Sequence, residues 1–271
     1  MIISHRYRYV FVQVPQTASS SIGEELCRNY AGEPILHKHA LYRQFLKTAS
    51  PEEKEYFVFA GRRNPLDCLV TEYFRRKEGK RMEDNEMNRR ISEFIRANSA
   101  SFQDYYREFH SHFHRAKNPY HEGADYLYRF ENLQEDFTEV LGMLGIDQVR
   151  PIPRFNRTTG KDLPFMSYYT PDLQPLVRMT MGSRMRRAGY SFSPGWRSFS
   201  SATPLIFLRV LLNSAVFALR LAAQSKAERR QPGSTDVYSK RLKREYIGEE
   251  NTSRDEASRE GSLDKGEADG K

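Results

Sequence analysis

Three groups of residues in this 271-residue chain have types and spacings that could do chemistry. The first lies in VFVQVPQTASSSIGEEL, residues 10 to 26, where an apolar strand-forming run stops at Pro15, passes through Gln16, Thr17, Ala18, Ser19, Ser20 and Ser21, and resumes as a helix. A strand, a tight loop and a helix start hold phosphate well, because the first helical N–H groups have no internal partner and the dipole favours an anion. The second group is Arg63-Asn64-Pro65-Leu66-Asp67-Cys68-Leu69-Val70-Thr71. Arg63 ends a strand and offers a planar fork of donors suited to phosphate, and Thr71 stands about two turns into the next helix, so both can face the sheet's C-terminal edge. Two phosphate sites at that edge imply a nucleotide with two anionic ends. The third group is His37 and His39 in PILHKHALYRQF, imidazoles whose ordinary pKa near 6.5 suits proton transfer.

Each group also has a plainer reading. PQTASSS can be a turn with a serine cap, Arg63 can pair with Glu72 or Asp67, and His37 and His39 can be surface histidines. Glu131 can be a helix cap. His110, His112 and His114 alternate, which on a strand would face them alike as in some metal sites. The segment around them has no matching carboxylate or cysteine at ligand spacing, so no metal is expected. A Walker loop would need GxxxxGK[ST], and PQTASSSI has neither the glycines nor the lysine, which excludes an ordinary P-loop kinase or GTPase.

The elements that must position these groups read as an α/β fold with a central, mainly parallel sheet flanked by helices. Tyr9 to Val14 is the first predicted strand, followed by a helix with Ile22, Leu26 and Tyr30 on one stripe. Tyr56 to Ala60 is the second, followed by a helical face of Leu66, Leu69, Val70, Tyr73 and Phe74. Tyr126 to Phe130 is the third, then Asn132 as a cap with Glu135 three residues on, and Leu133, Phe137, Val140, Leu141 and Leu144 on one face. Thr170 before Pro171 predicts another helix start. Residues 80 to 120 read as helical and polar, covering the working edge of the sheet.

Composition sets the outer bounds. A hydrophobic content of 38% supports one full-sized core over residues 1–197. An apolar or amphipathic helix is expected over 198–224, and a disordered charged tail over 225–271, where basic residues come first and acidic ones last. In PLIFLRVLLNSAVFALRLAA, residues 204 to 223, the apolar gain towards membrane insertion and the cost of Arg209 and Arg220 nearly cancel, so a helix lying in the membrane interface or docked on protein fits better than a spanning one. The net charge of +8 suits an anionic partner, either lipid or a polyphosphate cofactor; nucleic acid is not expected, since no motif for it is present. Two cysteines without CxxC spacing and no signal segment at the N-terminus place the chain in the cytoplasm, with peripheral membrane contact through 204–223.

The two anion motifs together resemble the sulfotransferase superfamily, in its carbohydrate-type branch with a P-loop-NTPase-like fold. Its members hold 3′-phosphoadenosine 5′-phosphosulfate (PAPS) with a PKTAGTS-like loop, here Pro15 to Ser21, and with an RDPxxRxxS-like segment whose arginine and serine fall on Arg63 and Thr71. YRFENL at 128 to 133 and RRAGYSF at 186 to 192 resemble its later segments, so the likeness runs over about residues 8 to 197. The resemblance implies transfer of a sulfuryl group from PAPS to a hydroxyl of a carbohydrate or glycolipid, with no metal, and with His39, or His37 beside it, as the base. Gln16 stands where the family loop has a lysine. It can hydrogen-bond a phosphate oxygen but cannot neutralise charge on the leaving group, which keeps a second class open, a non-catalytic PAPS-binding relative acting as a regulator or scaffold. Arg62, Arg6 and Arg8 are the expected substitutes for the missing cation.

Overall fold

The computed structural model describes residues 1–79, 86–114, 118–153, 158–197 and 203–228. Five strands form one sheet: β1 (Ile2–Ser4), β2 (Tyr9–Val12), β3 (Glu33–Pro34), β4 (Phe57–Arg62) and β5 (Tyr126–Arg129), in the order β3-β1-β2-β4-β5. β2, β4 and β5 are parallel, with Val10 beside Val58 and Ala60 beside Leu127. β1 runs antiparallel to both β2 and β3. The sheet is therefore mixed, not mainly parallel: two of its pairings are antiparallel. Strands of three and two residues carry no readable alternation, which hid β1 and β3 from the sequence.

Alternation along β2 and β4 divides the apolar side chains between two layers. Tyr9, Phe11 and Phe59 join one cluster with Ile22 and Leu26 of α1 (Ser19–Asn29), Tyr30 just after it, and Phe137, Val140 and Leu141 of α6 (Leu133–Met143). Val10, Val12, Val58 and Ala60 join another with Ala40 and with Tyr42 and Phe45 of α2 (Tyr42–Phe45). All four residues of β2 are fully buried. At about 1.5–3 kcal/mol for each large apolar side chain, this strand anchors the loop that follows it.

A third cluster joins α3 (Pro65–Lys77), α4 (Glu86–Ala97), α5 (Phe102–Phe109) and α7 (Gln174–Arg187). Within the expected polar cover over 80–120, α4 and α5 are amphipathic helices whose residues Ile91, Ile95, Phe102, Tyr105 and Tyr106 are core. The helix expected at Pro171 begins at Gln174, with Pro175 in its first turn. Asn132 does precede α6, but its side chain makes no capping bond. Cys27 and Cys68 are free thiols. α8 (Thr203–Glu228) follows, and among the described residues no helix is long and apolar enough to cross a membrane. Residues 225–228 of the expected tail belong to α8, and its remainder from 229 onward lies outside the described residues.

Candidate functional site

The parallel arrangement of β2, β4 and β5 brings three segments to one edge: the loop 13–18, the Arg63-Asn64 corner and the turn at 130–132. In the first of these, Gln16 and Ala18 both have left-handed backbone, with φ of 66° and 61°. Left-handed conformation at a non-glycine residue costs free energy, so the surroundings must hold it. The holding contacts come from Thr17, which is buried: its Oγ1 donates to the Val14 carbonyl at 2.9 Å, while Tyr128 Oη donates to the Thr17 carbonyl at 2.9 Å. Gly61 makes room for this contact, because a Cβ there would fall 2.5 Å from Thr17 Oγ1. The Thr17 hydroxyl is therefore held in the core.

Ala18 precedes the first helical residue of α1 and makes no side-chain cap. The serine-cap reading of PQTASSS does not hold; the first-turn N–H groups end on a short side chain that cannot accept from them. Ser19 and Ser21 are buried, and Ser20 is the serine that reaches outward. Lys38 Nζ donates to Ser20 Oγ at 2.8 Å. Burial lowers the Lys38 pKa, and among the described residues it forms no ion pair. A cation set against the positive end of a helix with no carboxylate beside it is unfavourable unless an anion joins them.

Arg63 occupies the corner between loop and α3. Its Nη1 donates to the Gln16 carbonyl at 2.9 Å, Nη2 donates to Thr71 Oγ1 at 2.9 Å, and Nε donates to Asp67 Oδ2 at 2.8 Å. The guanidinium also lies 4.0 Å over the Phe130 ring. Arg63 and Thr71 thus meet as the spacing required, and the plainer pairing with Asp67 is also present. Lys161 donates to Asp67 Oδ1 and lies 3.4 Å from Thr71 Oγ1. Two cations, Arg63 and Lys161, share the Asp67 carboxylate. Lys161 was not legible as part of the site, because its segment has no motif and reaches the corner only through the fold.

Gln16 Nε2 donates to Glu72 Oε2 at 3.0 Å, and Gln16 Oε1 is buried with no partner. Of the expected substitute cations, Arg62 ends β4 beside Arg63 at this edge, while Arg6 and Arg8 lie elsewhere. Arg8 pairs with Glu52 and Arg6 lies over Tyr7, both in the turn before β2, at the opposite end of that strand from the loop. Arg62 points towards Gly189, where a Cβ would sit 2.8 Å from its Nη1. Lys38, four residues past β3, joins Arg63 in reaching this segment, through its bond to Ser20.

His39 Nδ1 lies 2.7 Å from the Gln13 carbonyl. A carbonyl only accepts, so Nδ1 carries the proton and Nε2 is the basic nitrogen of the neutral ring. His37 Nδ1 is buried without a partner, and burial lowers its pKa. Glu131 does more than cap: Oε1 accepts from the Asn64 backbone N–H at 2.8 Å and Oε2 accepts from Tyr190 Oη at 2.7 Å, which ties the end of β5 to the start of α3 and to the closing segment. His110, His112 and His114 do stack, 5.2 and 4.7 Å apart in sequence order around His114, but away from this edge. Among the described residues no group of three or more His, Cys, Asp or Glu side chains is placed to hold a metal ion.

The profile of the Sulfotransferase family matches residues 1–176, which include the loop, the Arg63 corner, His39 and Lys161. The chain belongs to the sulfotransferase family. No curated protein and no solved structure matches it. Membership agrees with the mixed α/β architecture. A depression lined by Gln134, Thr138, Gln148 and Arg150 lies against α6, apart from this edge.

Proposed function

We propose that this sulfotransferase uses PAPS and transfers its sulfuryl group to a hydroxyl of a carbohydrate or similar acceptor. The observation that carries the reading is the pairing of two cationic corners joined through Gln16: Lys38 at the uncapped start of α1, and Arg63 with Lys161 around Thr71. The residues present fit a nucleotide phosphorylated at two positions. Backbone N–H groups from Gln16 to Ser21, with Ser20 Oγ and Lys38, face the 5′ end; Arg63, Lys161 and Thr71 face the 3′-phosphate. Bound PAPS supplies the activated sulfuryl group and leaves as the bisphosphate.

The chain's own groups do the rest. His39, held by the Gln13 carbonyl through Nδ1–H, accepts the acceptor's proton at Nε2. Lys38 takes the part of the absent loop lysine by placing positive charge beside the first turn of α1. Gln16 keeps the loop in register by its carbonyl bond to Arg63 and its side-chain bond to Glu72, and needs no charge of its own. The acceptor class rests on the resemblance to carbohydrate-type members. A second reading, a PAPS-binding regulator, is favoured by Gln16 alone, whose side chain is engaged with Glu72.

The test is calorimetric titration of the full chain with 3′-phosphoadenosine 5′-phosphate, followed by transfer of labelled sulfate from PAPS to a panel of glycans. Micromolar-range binding that Arg63→Ala abolishes, with transfer to at least one glycan, is the expected result. Binding without transfer to any acceptor would leave the regulator reading in its place. A folded protein that binds no bisphosphate would overturn both.

A further inference from the structure

We propose that the outward face of α8 seats the protein on an anionic lipid surface. α8 docks by one side only. Val210 is fully buried in the helical cluster, Ile206 packs beside it, the Phe217 ring stacks on His112 at 4.0 Å, and Ser214 Oγ accepts from the Phe113 N–H at 3.0 Å. At about 100° per residue these four positions fall within about 40° of Val210. Leu205, Leu208, Leu212, Val216 and Leu219 lie on the opposite side, and they are 72%, 56%, 61%, 45% and 72% exposed. A run of large aliphatic side chains in water along one helix face marks an interaction surface.

Charge selects the occupant. From Leu173 to Ala227 the sequence has eight Lys or Arg and no Asp or Glu. Helix positions 209 and 220 lie about 20° apart and about 80–100° from Val210, on one flank of the apolar face, where arginine stems can lie along lipid while the guanidinium reaches headgroups. The sequence from 226 to 244 continues with seven basic residues against two acidic. A second copy of α8 would set Arg209 and Arg220 against like charge, with Glu228 at the far end as the helix's one carboxylate, whereas an anionic leaflet attracts both arginines. α8 is not long and apolar enough to cross the bilayer, which agrees with a helix lying along it.

The test is sedimentation of the full chain with vesicles of phosphatidylcholine alone and of phosphatidylcholine mixed with phosphatidylserine. Binding to the mixed vesicles is expected to be on the order of tenfold or more stronger, and to fall with added salt. Arg209→Gln is expected to weaken it by about fivefold. Leu208→Ser/Leu212→Ser/Leu219→Ser is expected to weaken it on the order of a hundredfold with the thermal midpoint unchanged, because all three side chains are already in water. Equal binding to both vesicle types, no binding to either, or undiminished binding of the triple variant would each overturn the proposal. So would light scattering that shows a wild-type dimer and a monomeric triple variant, which would assign the face to a second copy.

Discussion

Arg63 Nη1 donates to the backbone carbonyl of Gln16 at 2.9 Å, so the side chain that ends β4 holds the loop that ends β2. The same guanidinium binds Asp67 and Thr71, and its side chain is 8% exposed. One residue therefore sets the loop's shape and presents positive charge at the corner. Arg63→Ala should cost about 3–5 kcal/mol of stability, near the lower figure because Lys161 still neutralises Asp67. Chemical denaturation measures this, and Arg63→Lys, which keeps charge but not the fork, should recover only part of the stability and little of the bisphosphate affinity.

Lys38 should prove more important than its position outside any motif suggests. Lys38→Gln is expected to lower affinity for 3′-phosphoadenosine 5′-phosphate about tenfold or more, with little change in thermal midpoint. Burial has lowered the Lys38 pKa in the free protein, and a bound phosphate favours the charged form and raises it again. Bisphosphate binding should therefore take up protons at alkaline pH, and affinity should fall as pH rises through the lowered Lys38 value. Calorimetry in two buffers of different ionisation enthalpy reads the uptake; none in wild type would count against the assignment.

Gln16→Lys tests the loop directly. A lysine there would meet Glu72, which already pairs with Arg76. If Lys38 supplies the missing charge, Gln16→Lys should raise transfer only a few fold in wild type but restore most of the loss in Lys38→Gln. A rise on the order of 10²-fold in the wild-type background would mean that Lys38 does not substitute.

Gly61→Ala should destabilise the chain by about 1–3 kcal/mol, because the added methyl would press on Thr17 Oγ1 and Tyr128 Oη. It should also weaken bisphosphate binding, since Thr17 lies between Gln16 and Ala18. Gly142→Ala, inside α6 and meeting nothing within 4 Å, is the control and should leave bisphosphate binding unchanged and stability equal or up to about 1 kcal/mol higher.

His110 makes a prediction about acid. Both its ring nitrogens are buried without partners, among Tyr105, Tyr106 and His114, and burial, with the charges of Arg184 and Arg76 nearby, lowers its pKa from 6.5 to about 3. The unfolded chain then binds a proton that the folded one refuses. Its contribution to stability is full above pH 6.5 and is lost progressively as pH falls towards 3. His110→Phe, which keeps the ring and removes the orphaned nitrogens, should be neutral or stabilising at pH 7 and should flatten that slope in acid denaturation.

The sequence by itself determined the three parallel strand–loop–helix units and the meeting of Arg63 with Thr71. Those features repeat every two or every three to four residues, or sit at a fixed helical spacing, so local backbone geometry dictates them. It also determined the family, through the order of the two anion motifs. Tertiary structure alone decided the rest. β1 is a strand only because β2 offers an edge to pair with, and β3 because β1 does, and Thr17 turned inward because Tyr128, 111 residues away, waits there. Lys38 and Lys161 reach the site through long-range packing, which leaves no period or spacing in the chain, and the compensation for Gln16 became visible only when the fold brought a distant lysine to the start of α1.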